Sequence, residues 1–179
     1  MAPILEAHFR RIRPNRVLDI GIGYGFWGAL IRNYFGSDRS GQLGHSLDRE
    51  TWVPNPALTI SGIEPFANYC NPMWDFYDGG VVRRNVEDII DSVVRLAADE
   101  FVVCIDVMEH LKRAVAMDIF RATRKGVFGI CTQMYDTPQA PYGNPLEDHI
   151  TKFSPQEFVA AGCTVIDLNP LYFAVTVDR

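Results

Sequence analysis

The sequence predicts an α/β fold built on a mostly parallel sheet with helices on both faces. Apolar runs that suit buried strands alternate along the chain with segments of helical periodicity, and two further strands close the order. Such alternation implies a parallel sheet that is covered on both sides. The 179 residues and 47 % hydrophobic content suit one large core. We therefore expect residues 1–179 to form a single domain.

Each element has its own signal in the sequence. The predicted strands are apolar runs at residues 16–20, 58–64, 81–85, 101–107, 126–132, 163–169 and 172–179. The predicted helices cover residues 4–12, 26–35, 66–77 (interrupted), 86–97, 109–124 and 153–162. Ser154 as N-cap, Pro155 at the first helical position and Gly162 at the end delimit the last helix. Pro170 separates the final two strands, as in a hairpin.

The net charge and the distribution of cysteines limit the kinds of binding partner that the protein can have. A net charge of −5 and a pI near 5.3 disfavour broad electrostatic binding to nucleic acid. The sequence shows no signal-peptide pattern and no run of eighteen apolar residues. Its cysteines are scattered, without a CxxC pair or a nearby pair of histidines: Cys70, Cys104, Cys131 and Cys163. We therefore expect a cytoplasmic protein with reduced cysteines, no membrane partner and no metal site.

The stretch DIGIGYGFWG, residues 19–28, can be interpreted in two frames. Gly23-x-Gly25-x-x-Gly28 is the glycine pattern of a dinucleotide-binding turn. Asp19-x-Gly21-x-Gly23-x-Gly25 is the pattern of a turn that holds S-adenosylmethionine. Both need glycine because ligand and backbone approach too closely for a Cβ atom. The dinucleotide frame leaves Asp19 and Gly21 without a role, so we favour the second.

The second frame extends to a family resemblance that covers most of the chain. VLDIGIGYG resembles the first motif of the class I S-adenosylmethionine-dependent methyltransferases, and CIDVMEHL (104–111) is similar to the fourth motif of their small-molecule branch. Glu64 ends the second strand, where the family places an acid that accepts the ribose hydroxyls. Residues 84–88 look like the adenine-contact segment, although Asn85 stands where the family usually has Asp.

The resemblance implies a Rossmann-like, seven-stranded sheet whose last strand is antiparallel, and S-adenosylmethionine as cofactor. The residues that it assigns to the cofactor are Asp19, Gly21, Gly23, Gly25, Glu64, Asn85, Val86 and Asp106. Methyl transfer is an in-line displacement, so the protein mainly aligns the acceptor and sometimes removes a proton. His110 and His149 are the candidate bases, and each can equally be interpreted as a hydrogen-bonded scaffold residue. Tyr24 and Trp27, beside the turn, could shape the pocket, or Trp27 could simply pack the helix.

The sequence lacks the motifs that are typical of methyltransferases for two classes of acceptor. No Asn/Asp-Pro-Pro-aromatic segment and no Pro-Cys pair follow the fourth strand, which argues against methylation of nucleic-acid amino groups and of cytosine C5. The sequence thus predicts methyl transfer to O or N of a small molecule, such as a sugar or a secondary metabolite. Two alternatives stay open: a non-catalytic subunit that binds S-adenosylmethionine, and a dinucleotide-binding oxidoreductase.

Residues 36–56 form a polar loop that is long for a connection between strands. It is interpreted either as a tolerated surface insertion or as a lid over the site. The side chains that would close such a lid are Arg39, His45, Arg49 and Trp52. A second subunit of a homodimer could cover the acceptor instead.

Overall fold

The computed structural model describes residues 1–35, 56–134 and 143–179. The predicted loop at 36–56, with its four candidate lid residues, lies outside the described residues except for its last position. Within the described ranges, no helix is both long enough and apolar enough to cross a membrane.

In the part of the chain that the structure describes, seven strands form one sheet, as the sequence predicts. They are β1 (Arg16–Ile20), β2 (Thr59–Ile63), β3 (Val81–Val82), β4 (Phe101–Ile105), β5 (Lys125–Cys131), β6 (Thr164–Asn169) and β7 (Tyr172–Asp178). Their spatial order is β3-β2-β1-β4-β5-β7-β6. The first five strands are parallel, whereas β7 pairs antiparallel with both β5 and β6. The predicted antiparallel last strand is therefore confirmed.

Among the described residues, five α-helices cover the two faces of the sheet. They are α1 (Ala2–Ile12), α2 (Phe26–Leu30), α3 (Ile90–Asp99), α4 (Arg113–Ala122) and α5 (Pro155–Ala160). One core lies under α3, α4 and α5, where Phe120 packs edge-on against Phe128 and Phe158. The other core lies under α1 and α2, where Phe9 packs edge-on against Phe101. The predicted coverage of both faces is confirmed.

Several elements differ from the sequence-based expectation, and three of these differences lie near the carboxyl ends of the strands. The interrupted helix at 66–77 is two 3₁₀ turns, Ala67–Tyr69 and Pro72–Phe76. The third strand is only Val81–Val82, shorter than the predicted 81–85. The helix expected from residue 109 begins at Arg113, after a separate 3₁₀ turn at Met108–His110.

The late start of α4 has a cause in hydrogen bonding. The carbonyl of Glu109 accepts from the amides of Ile150 and Thr151, at 2.9 and 3.0 Å. The Thr151 hydroxyl donates to the carbonyl of Leu111 at 2.7 Å. These carbonyls bind the distant 150–151 segment instead of amides one helical turn ahead. Sequence periodicity cannot reveal that these carbonyls accept hydrogen bonds from a distant segment.

The helix α1 is attached to the far end of the chain. His8 Nε2 donates to the carbonyl of Val177 in β7 at 3.0 Å, and Arg11 donates to His8 Nδ1 at 2.9 Å. Arg11 also forms an ion pair with Asp178. Since His8 is only 6 % exposed, this contact lies under the helix. It joins residues that are 169 positions apart in the sequence.

Candidate functional site

A cavity of about 540 Å³ opens where the chain leaves β1, β2 and β4. Ligands of open parallel sheets bind at this edge, outside the carboxyl ends of the strands. Six of the eight predicted cofactor residues line it: Gly21, Gly23, Glu64, Asn85, Val86 and Asp106. The fold thus brings into one cavity residues that are scattered over more than 80 positions of the sequence.

The glycine turn between β1 and α2 forms one wall of the cavity. Gly21, Gly23 and Gly25 have φ angles of 70°, 51° and 85°, which other residues rarely adopt. The amides of Gly21 and Ile22 donate to the carbonyl of Ile63, at 2.9 and 3.2 Å. These bonds fix the turn against the end of β2. Gly25 does not line the cavity; it begins α2 beside Met73.

Glu64 is held in place by the turn that it faces. Its Oε2 accepts from the amide of Gly23 at 2.9 Å, and its Oε1 accepts from the amide of Phe66 at 2.8 Å. Burial raises the pKa of this carboxyl, while the two amide donors oppose the rise. Each oxygen has a second lone pair. The arrangement can therefore accept two further hydroxyl donors from the cavity side.

Asp19 lies beneath the turn rather than in the cavity wall. It is 1 % exposed, and its Oδ2 accepts a 2.6 Å hydrogen bond from the hydroxyl of Tyr77. Burial raises the pKa of Asp19 to about 7. Its Oδ1 has no hydrogen-bond partner among the described residues. Direct contact of Asp19 with a cofactor stays a prediction.

Gly28, the third glycine of the dinucleotide frame, has a packing role. Its amide donates to the Tyr77 hydroxyl at 3.1 Å. A Cβ atom at position 28 would overlap the phenol ring of Tyr77. The glycine is therefore explained by close packing inside the protein, without a bound dinucleotide.

Asn85 and Val86 follow β3 and also line the cavity. The Asn85 side chain caps the next turn by accepting from the amide of Glu87 at 3.2 Å. Glu87 forms an ion pair with Lys112 at 2.6 Å, which lowers the pKa of the Glu87 carboxyl. Val86 is buried. The Asn85 carbonyl oxygen keeps a second lone pair, so capping still permits a contact with an adenine amino group.

Asp106 follows β4 in an unusual backbone conformation. Its φ angle is 58°, a left-handed value that Asp tolerates better than most side chains. Its amide donates to the carbonyl of Gly129 at 3.0 Å, and Tyr172 hydrogen-bonds its carboxylate. The side chain reaches solvent, yet desolvation by the surrounding cavity raises its pKa. Two neighbouring strands therefore fix Asp106 at the edge of the cavity.

The two candidate bases lie side by side but face different surroundings. The rings of His110 and His149 meet edge-on, with their centroids 4.7 Å apart. His110 lines the cavity, and burial lowers the pKa of its imidazole. His149 is not among the residues that line it, and its Nδ1 donates to the carbonyl of Gln133 at 2.6 Å. Catalytic roles for both stay predictions.

Sequence reasoning missed several residues that build the site. Tyr77 supports Asp19, and Trp74 donates from Nε1 to the carbonyl of Gly23 at 2.9 Å. Glu147, in the cavity wall, accepts from the hydroxyl of Tyr69 at 2.8 Å. These side chains lie 51 to 78 positions from their partners. No motif connects them, so only the fold could identify them.

Tyr24 and Trp27 line the cavity as expected, and Trp27 also packs on the core.

The strand order, the glycine turn and the acid at the end of β2 together define the fold of the class I S-adenosylmethionine-dependent methyltransferases. No protein-family model and no curated protein matches the chain.

Solved structures do match. The N-terminal domain of EvdMO1 with SAH bound aligns with a TM-score of 0.60 at 13 % identity, over 98 % of this chain and 78 % of that one. The same domain in the presence of SAH and D-fucose aligns with a TM-score of 0.60 at 13 % identity, over 98 % of this chain and 80 % of that one. An O-methyltransferase family protein from Burkholderia thailandensis aligns with a TM-score of 0.57 at 14 % identity, over 100 % of this chain and 55 % of that one. The chain thus spans about half the length of the Burkholderia protein, and these likenesses confirm the predicted fold.

Proposed function

We propose that this protein is an S-adenosylmethionine-dependent methyltransferase that acts on O or N of a small molecule. The observation that carries the proposal is the position of Glu64. Two backbone amides hold its carboxylate at the end of β2, directly opposite the glycine turn of β1. A carboxylate fixed in this way suits the two hydroxyls of a ribose. Asn85 and Val86 then offer a place for the adenine in the same cavity.

The charge of the cavity supports a cationic donor and an uncharged or cationic acceptor. Among the described residues that line it, five side chains are acidic, whereas Lys112 is the one lysine or arginine. The acids are Glu64, Glu87, Asp106, Glu147 and Asp148. An acidic wall attracts the sulfonium of S-adenosylmethionine and repels phosphates. It therefore argues against a polyanionic nucleic acid as acceptor and for a small molecule.

The acceptor would enter beside His110 and the 144–150 segment, which line the same cavity. Tyr24, Phe26 and Trp27 offer aromatic surface there, and the acids offer hydrogen-bond acceptors for hydroxyl groups. The EvdMO1 domain solved in the presence of D-fucose makes a sugar one acceptor worth testing. In this proposal His110 is the histidine that reaches the acceptor, and His149 supports its ring.

The first experiment is calorimetric titration of the purified protein with S-adenosylhomocysteine and, in parallel, with NAD. Micromolar binding of S-adenosylhomocysteine alone would support the proposal. Binding of NAD alone would overturn it in favour of the dinucleotide-binding oxidoreductase.

A turnover assay distinguishes a methyltransferase from a non-catalytic subunit that only binds S-adenosylmethionine. The protein would be incubated with methyl-labelled S-adenosylmethionine and a panel of sugars, phenols and amines. Transfer of label to one acceptor class supports catalysis. Tight cofactor binding without transfer to any member of the panel would favour the non-catalytic subunit.

A further inference from the structure

Three potential metal ligands meet next to the cofactor cavity. Within residues 1–35, 56–134 and 143–179, one group of at least three such side chains has its ligand atoms within 4.8 Å of one another: Glu109, Cys131 and His149. Glu109 follows β4, Cys131 ends β5, and His149 precedes the segment that is bonded to Glu109. We propose that these three side chains bind a divalent transition-metal cation.

Glu109 supplies the strongest observation. Its side chain is fully buried, and its Oε1 accepts from the amide of Cys131 at 2.8 Å. Its Oε2 has no hydrogen-bond partner among the described residues. Buried carboxylate oxygens are normally satisfied, because leaving one without a partner is unfavourable. A cation would supply the missing partner.

The backbone around the three residues is fixed before any ion binds. The carbonyl of Glu109 accepts from Ile150 and Thr151, which sets the position of His149 directly before them. The amide of Cys131 is bonded to Glu109 itself. His149 Nδ1 donates to the carbonyl of Gln133 at 2.6 Å. Metal-binding histidines are oriented by hydrogen bonds of this kind.

The donor set indicates the kind of cation. One carboxylate oxygen, one thiolate sulfur and one imidazole nitrogen suit Zn²⁺ or a similar ion such as Co²⁺, whereas Mg²⁺ and Ca²⁺ prefer oxygen alone. Coordination by Cys131 replaces its S–H bond with an S–metal bond and releases the proton to solvent. Scattered cysteines gave no zinc motif in the sequence, because the three ligands come together only through adjacent strand ends.

Three protein ligands leave a coordination position for another molecule. His149 contacts the ring of His110, which lines the cavity, so the ion would lie beside the acceptor side. If the proposed methyl transfer holds, an acceptor hydroxyl could occupy that position and lose its proton more readily. This extension rests on the proposed function, whereas cation binding does not.

Cobalt titration tests the site without cofactor or acceptor. The full chain, free of affinity tags and stripped of metal with a chelator, would be titrated with Co²⁺ and followed by absorbance. We expect one equivalent to bind, with a near-ultraviolet charge-transfer band from thiolate to cobalt, and Zn²⁺ to displace it. Failure to bind one equivalent would overturn the proposal.

Variants of the three proposed side chains test which of them bind the metal. Cys131→Ser should lose the charge-transfer band, and Glu109→Gln and His149→Ala should bind Co²⁺ at least tenfold more weakly. The matched control Cys70→Ser, at an exposed cysteine, should keep both band and affinity. A band that persists unchanged in Cys131→Ser would contradict the assignment. Circular dichroism checks folding of each variant, and S-adenosylhomocysteine titration of the metal-stripped protein tests the proposed function separately.

Discussion

The hydroxyl of Tyr77 donates to Asp19 and accepts from the amide of Gly28, and so connects β1, α2 and the turn before β3. The two bonds are 2.6 and 3.1 Å long. Tyr77 and Asp19 are both almost fully buried. One side chain thus stabilises the acid and the glycine that flank the cofactor turn.

Replacing Tyr77 by Phe removes both hydrogen bonds and keeps the ring. Asp19 and the Gly28 amide then lose their partners inside the protein, and each loss costs about 1–3 kcal/mol. We expect the free energy of unfolding to fall by about 2–6 kcal/mol in urea denaturation. A double-mutant cycle with Asp19→Asn measures the interaction energy between Tyr77 and Asp19. Additive effects of the two changes would contradict the coupling.

Asp19→Asn should change how stability depends on pH. Burial raises the pKa of Asp19 in the folded protein from 3.8 to about 7. The folded state therefore holds the proton more tightly, and the resulting stabilisation is complete below pH 4 and disappears as the pH rises to about 7. Relative to the parent, the Asn variant should gain up to about 4 kcal/mol between pH 4 and pH 8.

The measurement is urea denaturation of both proteins across that pH range. The exposed Asp167→Asn serves as control and should follow the parent. A difference between Asp19→Asn and parent that stays constant from pH 4 to pH 8 would show that Asp19 keeps an ordinary pKa.

Gly28→Ala distinguishes packing from helix propensity. In an unobstructed helix this change stabilises by about 1 kcal/mol. Here the added methyl would overlap the buried ring of Tyr77, and overpacking of this kind costs about 1–3 kcal/mol. We expect a lower melting temperature. A higher one would mean that Tyr77 moves away freely.

Glu64→Gln tests the ribose contact while keeping the size of the side chain. The amide group offers only one acceptor oxygen, and its NH₂ would face a backbone N–H donor, either Gly23 or Phe66. We expect S-adenosylhomocysteine to bind roughly 10- to 100-fold more weakly by calorimetry, since hydrogen bonds to charged groups contribute about 1.5–3 kcal/mol. Glu6→Gln, on the exposed face of α1, is the control. Equal affinity in Glu64→Gln and the parent would remove Glu64 from the cofactor site.

The sequence predicted the strands better than the connections. β1 matches its predicted bounds, because an apolar run between turn residues needs no tertiary information. The positions of the glycine turn and Glu64 were predicted because each follows a strand directly, and their cofactor roles were predicted from the family resemblance. Tyr77, Glu109 and Cys131 were not assigned roles, because their importance comes from neighbours on other strands. The helix predicted from residue 109 begins only at Arg113, because the carbonyl of Glu109 is bonded to residues 150 and 151 instead.

The attachment of α1 to β7 has a consequence for the order in which the protein folds. His8 finds its carbonyl partner on Val177, and β7 itself must insert between β5 and β6. On the ribosome, the bonds from His8 and Arg11 to β7 can therefore form only after residues 177 and 178 have been synthesised. Loop closure over such a distance is slow compared with local pairing. The sheet from β1 to β5 can assemble earlier and receive α1 on Phe101, so insertion of β7, with its bonds to His8 and Arg11, would be a late event in folding.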